Sequence, residues 1–264
     1  HITGDHTSNF KVLDDISSHT ATFNGSSSTI VSTTDETIRI PEHRFLQGQR
    51  VTYSNGSSTT TIAVTVGTDT VGGQSTGVFY FDGVEKPGSY AVNRGFTYIF
   101  DQSHATNATF GGGSPHPLMF STGSGGDHNG HGHYMTGITY KLDGVAKTMA
   151  QYVSGFAAAT TRTVEWTVPN NAPNTLYYWC HHHTGQGNSF AISDGDIGGL
   201  VNGTAYYITH DTHNTIKLAT SLSNANNNTN INLSSVGSGS SHSLTVGFDG
   251  INKIFKATHN NGDD

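Results

Sequence analysis

Short runs of alternating apolar and polar residues, cut by Gly, Asn and Pro, recur along the chain. Thr37-Ile-Arg-Ile40 alternates up to Pro41. Gly48-Gln-Arg-Val-Thr-Tyr53 runs up to Asn55-Gly56, and Arg162-Thr-Val-Glu-Trp-Thr-Val168 up to Pro169. A period of two puts every second side chain on one face of a sheet, so each run predicts a strand. The same reading gives strands over 10–16, 77–82, 90–92, 96–100, 117–121, 134–140 and 175–179, and a turn at Asn24-Gly25. It gives others over 203–208, 214–219, 231–233, 242–246 and 251–256. Residues 1–9 read as a polar arm, and 124–133 as a loop of Gly and His. No window pairs three-and-four apolar spacing with helix caps, so the expected fold class is all-β.

Composition narrows the class. Of 264 residues, 33% are hydrophobic and only 12% charged, a balance unlike that of disordered chains, which pair low hydrophobicity with high charge. The formal charge of −7 with His neutral disfavours a nucleic-acid partner, although sixteen histidines change that balance in mild acid. No apolar stretch is long enough to cross a bilayer, so no membrane span is expected. No signal peptide is visible, and His1 as the first residue reads as a processed product or a part of a longer chain. A single cysteine excludes an intrachain disulfide. Few Lys and Glu beside much Ser, Thr, Asn and Gly point to an extracellular or virion-surface setting. Asn24, Asn55, Asn107 and Asn202 each open an Asn-x-Ser/Thr triplet, which matters only in a eukaryotic secretory host.

The chemistry gathers in Thr175-Leu-Tyr-Tyr-Trp-Cys-His-His-His-Thr-Gly-Gln-Gly187. A thiolate at a strand end followed by imidazoles can direct two donors to one soft or borderline metal. A third donor must come from elsewhere, and Pro115-His116-Pro117 offers it. The other reading makes Cys180 a small buried hydrophobe and lets the histidines satisfy loop backbone. On a persisting strand, Trp179 and His181 face one side while Cys180 and His182 face the other. A second cluster, Asp127-His-Asn-Gly-His-Gly-His133, places His128, His131 and His133 as a metal or contact site. His104, His210, His213 and His242 read as surface or hydrogen-bonded residues. No phosphate loop, Gly-x-Ser-x-Gly elbow or fixed carboxylate pair is present, so no enzyme is expected.

The order His116 … Cys180-x-x-His183-x-x-Gln186 resembles the cupredoxin family. The runs Val84-Glu-Lys-Pro-Gly88, Arg94-Gly-Phe-Thr-Tyr-Ile-Phe-Asp101, His116-Pro-Leu-Met-Phe-Ser121 and Tyr177-Tyr-Trp-Cys-His-His-His183 are similar to cupredoxin-like domains of marine phage structural proteins. That resemblance covers most of 77–190. It implies a Greek-key β-sandwich and a copper site of His116, Cys180 and His183, with Gln186 as the axial donor. Gly48-Gln-Arg-Val-Thr-Tyr-Ser-Asn-Gly56, Gly199-Leu-Val-Asn-Gly-Thr-Ala-Tyr-Tyr-Ile208 and Asn214-Thr-Ile-Lys-Leu-Ala219 resemble a module repeated in phage fibre and bacterial surface proteins.

The expected organisation is therefore an N-terminal arm and strand (1–28) and a discontinuous β-module (29–62 plus 191–246). The cupredoxin-like sandwich (63–190) is inserted into that module, and a C-terminal strand and tail (247–264) follow. The expected role is a structural or adhesive virion appendage, such as a tail fibre, that pairs with its own copies or other surface proteins and contacts a host glycan or receptor. The alternatives are a copper-binding electron-transfer or metal-binding protein and a carbohydrate-binding surface module.

Overall fold

In the computed structural model, which describes residues 19–246, most of the alternating runs are strands with one buried face. The first four are β1 (Thr20–Phe23), β2 (Val31–Ser32), β3 (Thr37–Arg39) and β4 (Arg50–Ser54). Then come β5 (Thr59–Gly67), β6 (Val78–Phe81), β7 (Val84–Glu85), β8 (Tyr90–Asn93), β9 (Thr97–Asp101) and β10 (Leu118–Ser121). After these lie β11 (Ile138–Leu142), β12 (Val145–Lys147), β13 (Arg162–Thr167), β14 (Thr175–Cys180) and β15 (Ser189–Ser193). The last are β16 (Ala205–His210), β17 (Thr215–Ala219) and β18 (His242–Val246). Strands β4, β9, β13 and β18 bury every second residue, and the fold is mostly β, as the alternation predicts.

The strands form three sheets. One has the order β1-β18-β4-β16-β17-β3-β2 and is built from the two ends of the described chain. The middle of the chain supplies the other two, β10-β14-β15-β8 and β12-β11-β13-β9-β5-β6-β7. Those two face each other across an aromatic core. Phe190 lies 5.6 Å from Phe100, 5.0 Å from Phe120 and 5.4 Å from Trp166, ring centre to ring centre. Such edge-to-face and tilted pairs add to the stabilisation from apolar burial. The first sheet has its own, mainly aliphatic core around Ile38, Val51, Ile208, Ile216 and Leu244.

Several expectations change. The junctions expected at 62/63 and 190/191 each fall inside a strand, β5 and β15, whose partners all belong to the middle sheets. The chain therefore crosses between the sheet systems nearer 55–58 and 194–196. β1, expected within a separate N-terminal segment, pairs with β18. Residues 231–233 are not a strand: Ile231 N–H donates to Leu218 O at 2.8 Å, and Leu233 serves as a buried anchor. The expected arm at 1–9, the strands at 10–16 and 251–256 and the C-terminal tail lie outside the described residues.

Short helices also occur, at α1 (Ala105–Ala108), α2 (Met149–Gly155) and α3 (Leu222–Asn226). α2 corrects the expectation of no capped helical window. Thr148 and Gln151 form a capping box, with Gln151 N–H donating to Thr148 Oγ1 at 3.2 Å and Thr148 N–H to Gln151 Oε1 at 3.0 Å. Two of the triplet asparagines, Asn55 and Asn107, are buried.

Candidate metal centre

Two prolines and a buried amide fix the first ligand. Pro115 and Pro117 have no N–H, so across 115–118 only His116 and Leu118 offer backbone donors. His116 N–H donates to Asn107 O at 2.8 Å, and Leu118 N–H donates to Gln102 Oε1 at 2.9 Å. Gln102 Nε2 donates to His116 O at 2.8 Å and to Asn107 Oδ1 at 3.0 Å. Tyr152 O–H donates to Gln102 Oε1 at 3.0 Å, and Asn107 Nδ2 donates to Val64 O at 2.7 Å. Gln102, Asn107 and His116 are all fully buried. The clamp thus holds the backbone on both sides of His116 with every amide hydrogen bond made inside the protein.

Cys180 ends β14, opposite Leu118 of β10, and its thiol is wholly buried. Beyond it the chain leaves the sheet and turns back over its own strand. Gly187 makes this return possible, because a Cβ there would collide with the Tyr178 carbonyl. The turn sets His183 Nδ1 at 3.4 Å from Cys180 Sγ, while His116 Nδ1 lies 3.9 Å from the same sulfur. The ligand atoms of all three residues lie within 4.8 Å of one another.

Gln186 completes the group. Its Nε2 donates to Thr76 O at 2.7 Å and to Thr76 Oγ1 at 3.0 Å. A carbonyl only accepts, so the amide nitrogen belongs on the Thr76 side and Oε1 points inward, 3.0 Å from His116 Nδ1. The four residues singled out by spacing therefore meet.

The donor set fits a soft or borderline ion. A metal about 2.0 Å from nitrogen and about 2.3 Å from sulfur, with angles between tetrahedral and trigonal, places S and N roughly 3.5–3.7 Å apart. The two observed separations bracket that span. Burial pushes the Cys180 thiol pKa up to about 12, partly offset by the backbone N–H groups of His182 and His183. An incoming ion must therefore displace a proton from sulfur. Burial, followed by the neighbouring imidazoles of His116, His182 and His128, lowers the His183 pKa to about 4. Burial also lowers that of His116. Both rings are neutral at pH 7, the form that binds metal. His183 is the partly exposed member and borders a cleft of about 130 Å³ with His128, Trp179 and Thr184.

The Gly/His loop packs against the other side of β14. Gly126, with φ +54° and no room for a Cβ against Trp179, lets a 3-10 turn at Gly126–Asn129 lie over that indole. His128 Nε2 meets Cys180 O at 3.0 Å, His133 Nδ1 meets Asp127 Oδ2 at 3.1 Å, and exposed His131 lies against Gly123. His128, His131 and His133 do not converge on one point. Among the described residues, only His116, Cys180 and His183 form a three-ligand group. His181 shares the Trp179 side of β14, with ring centres 6.3 Å apart. Spacing alone missed Gln102, Asn107 and Thr76, which hold the ligands; only the Asn107-Ala-Thr triplet had drawn attention to one of them.

No protein-family model matches the chain, and no curated protein matches it.

Proposed function

We propose that this chain binds copper through His116, Cys180 and His183, with Gln186 Oε1 as a weak fourth donor. The binding unit is a cupredoxin-like Greek-key sandwich carried on a split β-module. The observation supporting this reading is the convergence of one buried thiol and two imidazole Nδ1 atoms from segments 64 residues apart. Thiolate and imidazole select soft or borderline metals, and a weak axial donor tunes the potential. Bound copper supplies one-electron chemistry. The chain's own residues exclude water from the sulfur, hold the His116 backbone rigid and leave the His183 edge facing the cleft. The role is non-enzymatic: an electron-transfer or metal-holding centre within a structural surface protein.

A specific observation favours a second reading, an assembly or adhesive role in a virion appendage without metal. The seven-stranded middle sheet ends in β7 on one edge and β12 on the other. Val84 of β7 and Val145 of β12 are both more than half exposed. Apolar side chains on two open edges suit strand pairing between copies.

Copper titration followed by visible absorption, repeated on Cys180→Ser, separates the readings. The copper reading predicts an intense thiolate-to-copper band at one equivalent that is absent from the variant. A folded protein without that band sinks the copper reading, and sedimentation then tests for assembly.

A further inference from the structure

The opposite side of β14 carries a second set of nitrogen donors. Asp127 Oδ2 engages His133 Nδ1 at 3.1 Å and so fixes the ring and commits that nitrogen. His133 Nε2 is left buried, with no hydrogen-bond partner. His181 follows the last residue of β14, and its Nδ1 is likewise buried and unpartnered. The two rings lie 6.2 Å apart, centre to centre, and are inclined by only 36°. Both approach the Trp179 indole, at 5.0 and 6.3 Å. His182 adds a third imidazole, 4.8 Å from His181. A nitrogen that gives up water without gaining a partner needs an explanation. A carboxylate behind an imidazole is the arrangement that orients metal-binding histidines and raises their basicity.

The geometry points to a second cation site, for a borderline divalent ion such as zinc. His133 Nε2 and His181 Nδ1 are its protein donors, and water completes the shell. Imidazole suits such ions, and Asp127 adds the negative charge that offsets theirs. With two protein donors rather than three, the site is weaker and more open than the one around Cys180. It does not rest on copper binding at the first site, whose thiol alternates with Trp179 and so points to the other face of β14. His128 ties the two sides together, because its Nε2 meets the carbonyl of Cys180 at 3.0 Å.

The test is calorimetric titration of the full chain with zinc chloride in a Cys180→Ser background, which removes the thiolate from the first site. One equivalent should bind and raise the unfolding temperature. Adding His133→Gln and His181→Gln together should weaken binding at least tenfold. Absence of zinc binding to Cys180→Ser, or equal binding by the triple variant, overturns the inference. If the triple variant fails to fold, Asp127→Asn in the same background takes its place. Its amide oxygen still accepts from His133 while the charge is gone, so weaker zinc binding supports the site and unchanged binding counts against it.

Discussion

His242, in β18 of the split sheet, and His116, just ahead of β10 in the sandwich, are both fully buried, and burial lowers both imidazole pKa values. Their nitrogens are used differently. His242 Nε2 meets Ser238 O at 2.9 Å and must donate, because a carbonyl only accepts. Its Nδ1 then accepts from Tyr53 O–H at 2.8 Å, and the Tyr53 oxygen accepts from Ile197 N–H at 3.0 Å. The chain of bonds closes on backbone and leaves no lone pair for a ligand. His116 instead turns Nδ1 toward a thiol and an amide oxygen, with the Phe110 carbonyl as the backbone acceptor beside its ring. With the ring hydrogen on Nε2, Nδ1 keeps its lone pair for a metal. Burial alone therefore does not mark a candidate metal ligand; what the ring nitrogens face does.

The severest way to break this comparison is to release the backbone that aims His116. Gln102→Leu removes four hydrogen bonds and leaves His116 O, Leu118 N–H, Asn107 Oδ1 and the Tyr152 hydroxyl without that partner. Each buried polar group left unpaired costs about 1–3 kcal/mol, so with four of them a loss of at least about 4 kcal/mol is expected by urea denaturation. Copper affinity should fall with it. A variant as stable as the parent, with its copper band unchanged, would show that the amide is not the clamp.

Exchanging the two histidines sharpens the comparison. His242→Gln should cost about 2 kcal/mol through the disturbed Tyr53 bond while keeping the copper band. His116→Gln should cost less and lose the band. The pH dependence carries a definite sign. Folded His242 stays neutral because its pKa is lowered, whereas the unfolded chain takes up a proton near the ordinary value of about 6.5. Its contribution is therefore fully present above that value and lost as pH falls through it. Tyr53 and Asp196 are the titratable groups facing the ring. The Asp196 carboxyl, raised mainly by burial, acts in the opposite direction. Stability should fall less between pH 8 and pH 5 in His242→Gln than in the parent; equal slopes would refute the assignment.

What the sequence disclosed follows from how locally each feature is encoded. The strand β13 and the Cys180-to-Gln186 spacing are contiguous patterns, legible in a single window. His116 stands out through its two prolines. Gln102, Asn107 and Thr76 act on the ligands through folded contacts, and nothing in their local sequence announces it. α2 was legible but short: Met149, Tyr152, Val153 and the C-cap Phe156 keep helical spacing behind the Thr148–Gln151 box, over only eight residues. The His128–His133 loop reads as a chelating cluster because its histidines are close in sequence. Positive-φ glycines at 126, 130 and 132 turn the backbone between them, and its side chains go to three different neighbours.

The mildest test concerns which atom of Gln186 faces the histidines. Thr76 holds the amide nitrogen twice, through its carbonyl at 2.7 Å and its hydroxyl at 3.0 Å. Thr76→Val removes only the second bond and preserves the branched shape. The expected cost is about 0.5–1.5 kcal/mol, the worth of one ordinary hydrogen bond. The carbonyl alone still requires a donor opposite it, so Oε1 should remain aimed at His116 and the copper band should shift only slightly. Gln186→Glu is the companion change. It sets a carboxylate oxygen against that carbonyl, which a donor can satisfy and an acceptor cannot, and it should perturb both stability and the band more than Thr76→Val does. The reverse order would mean that the hydroxyl, rather than the carbonyl, decides how the amide lies.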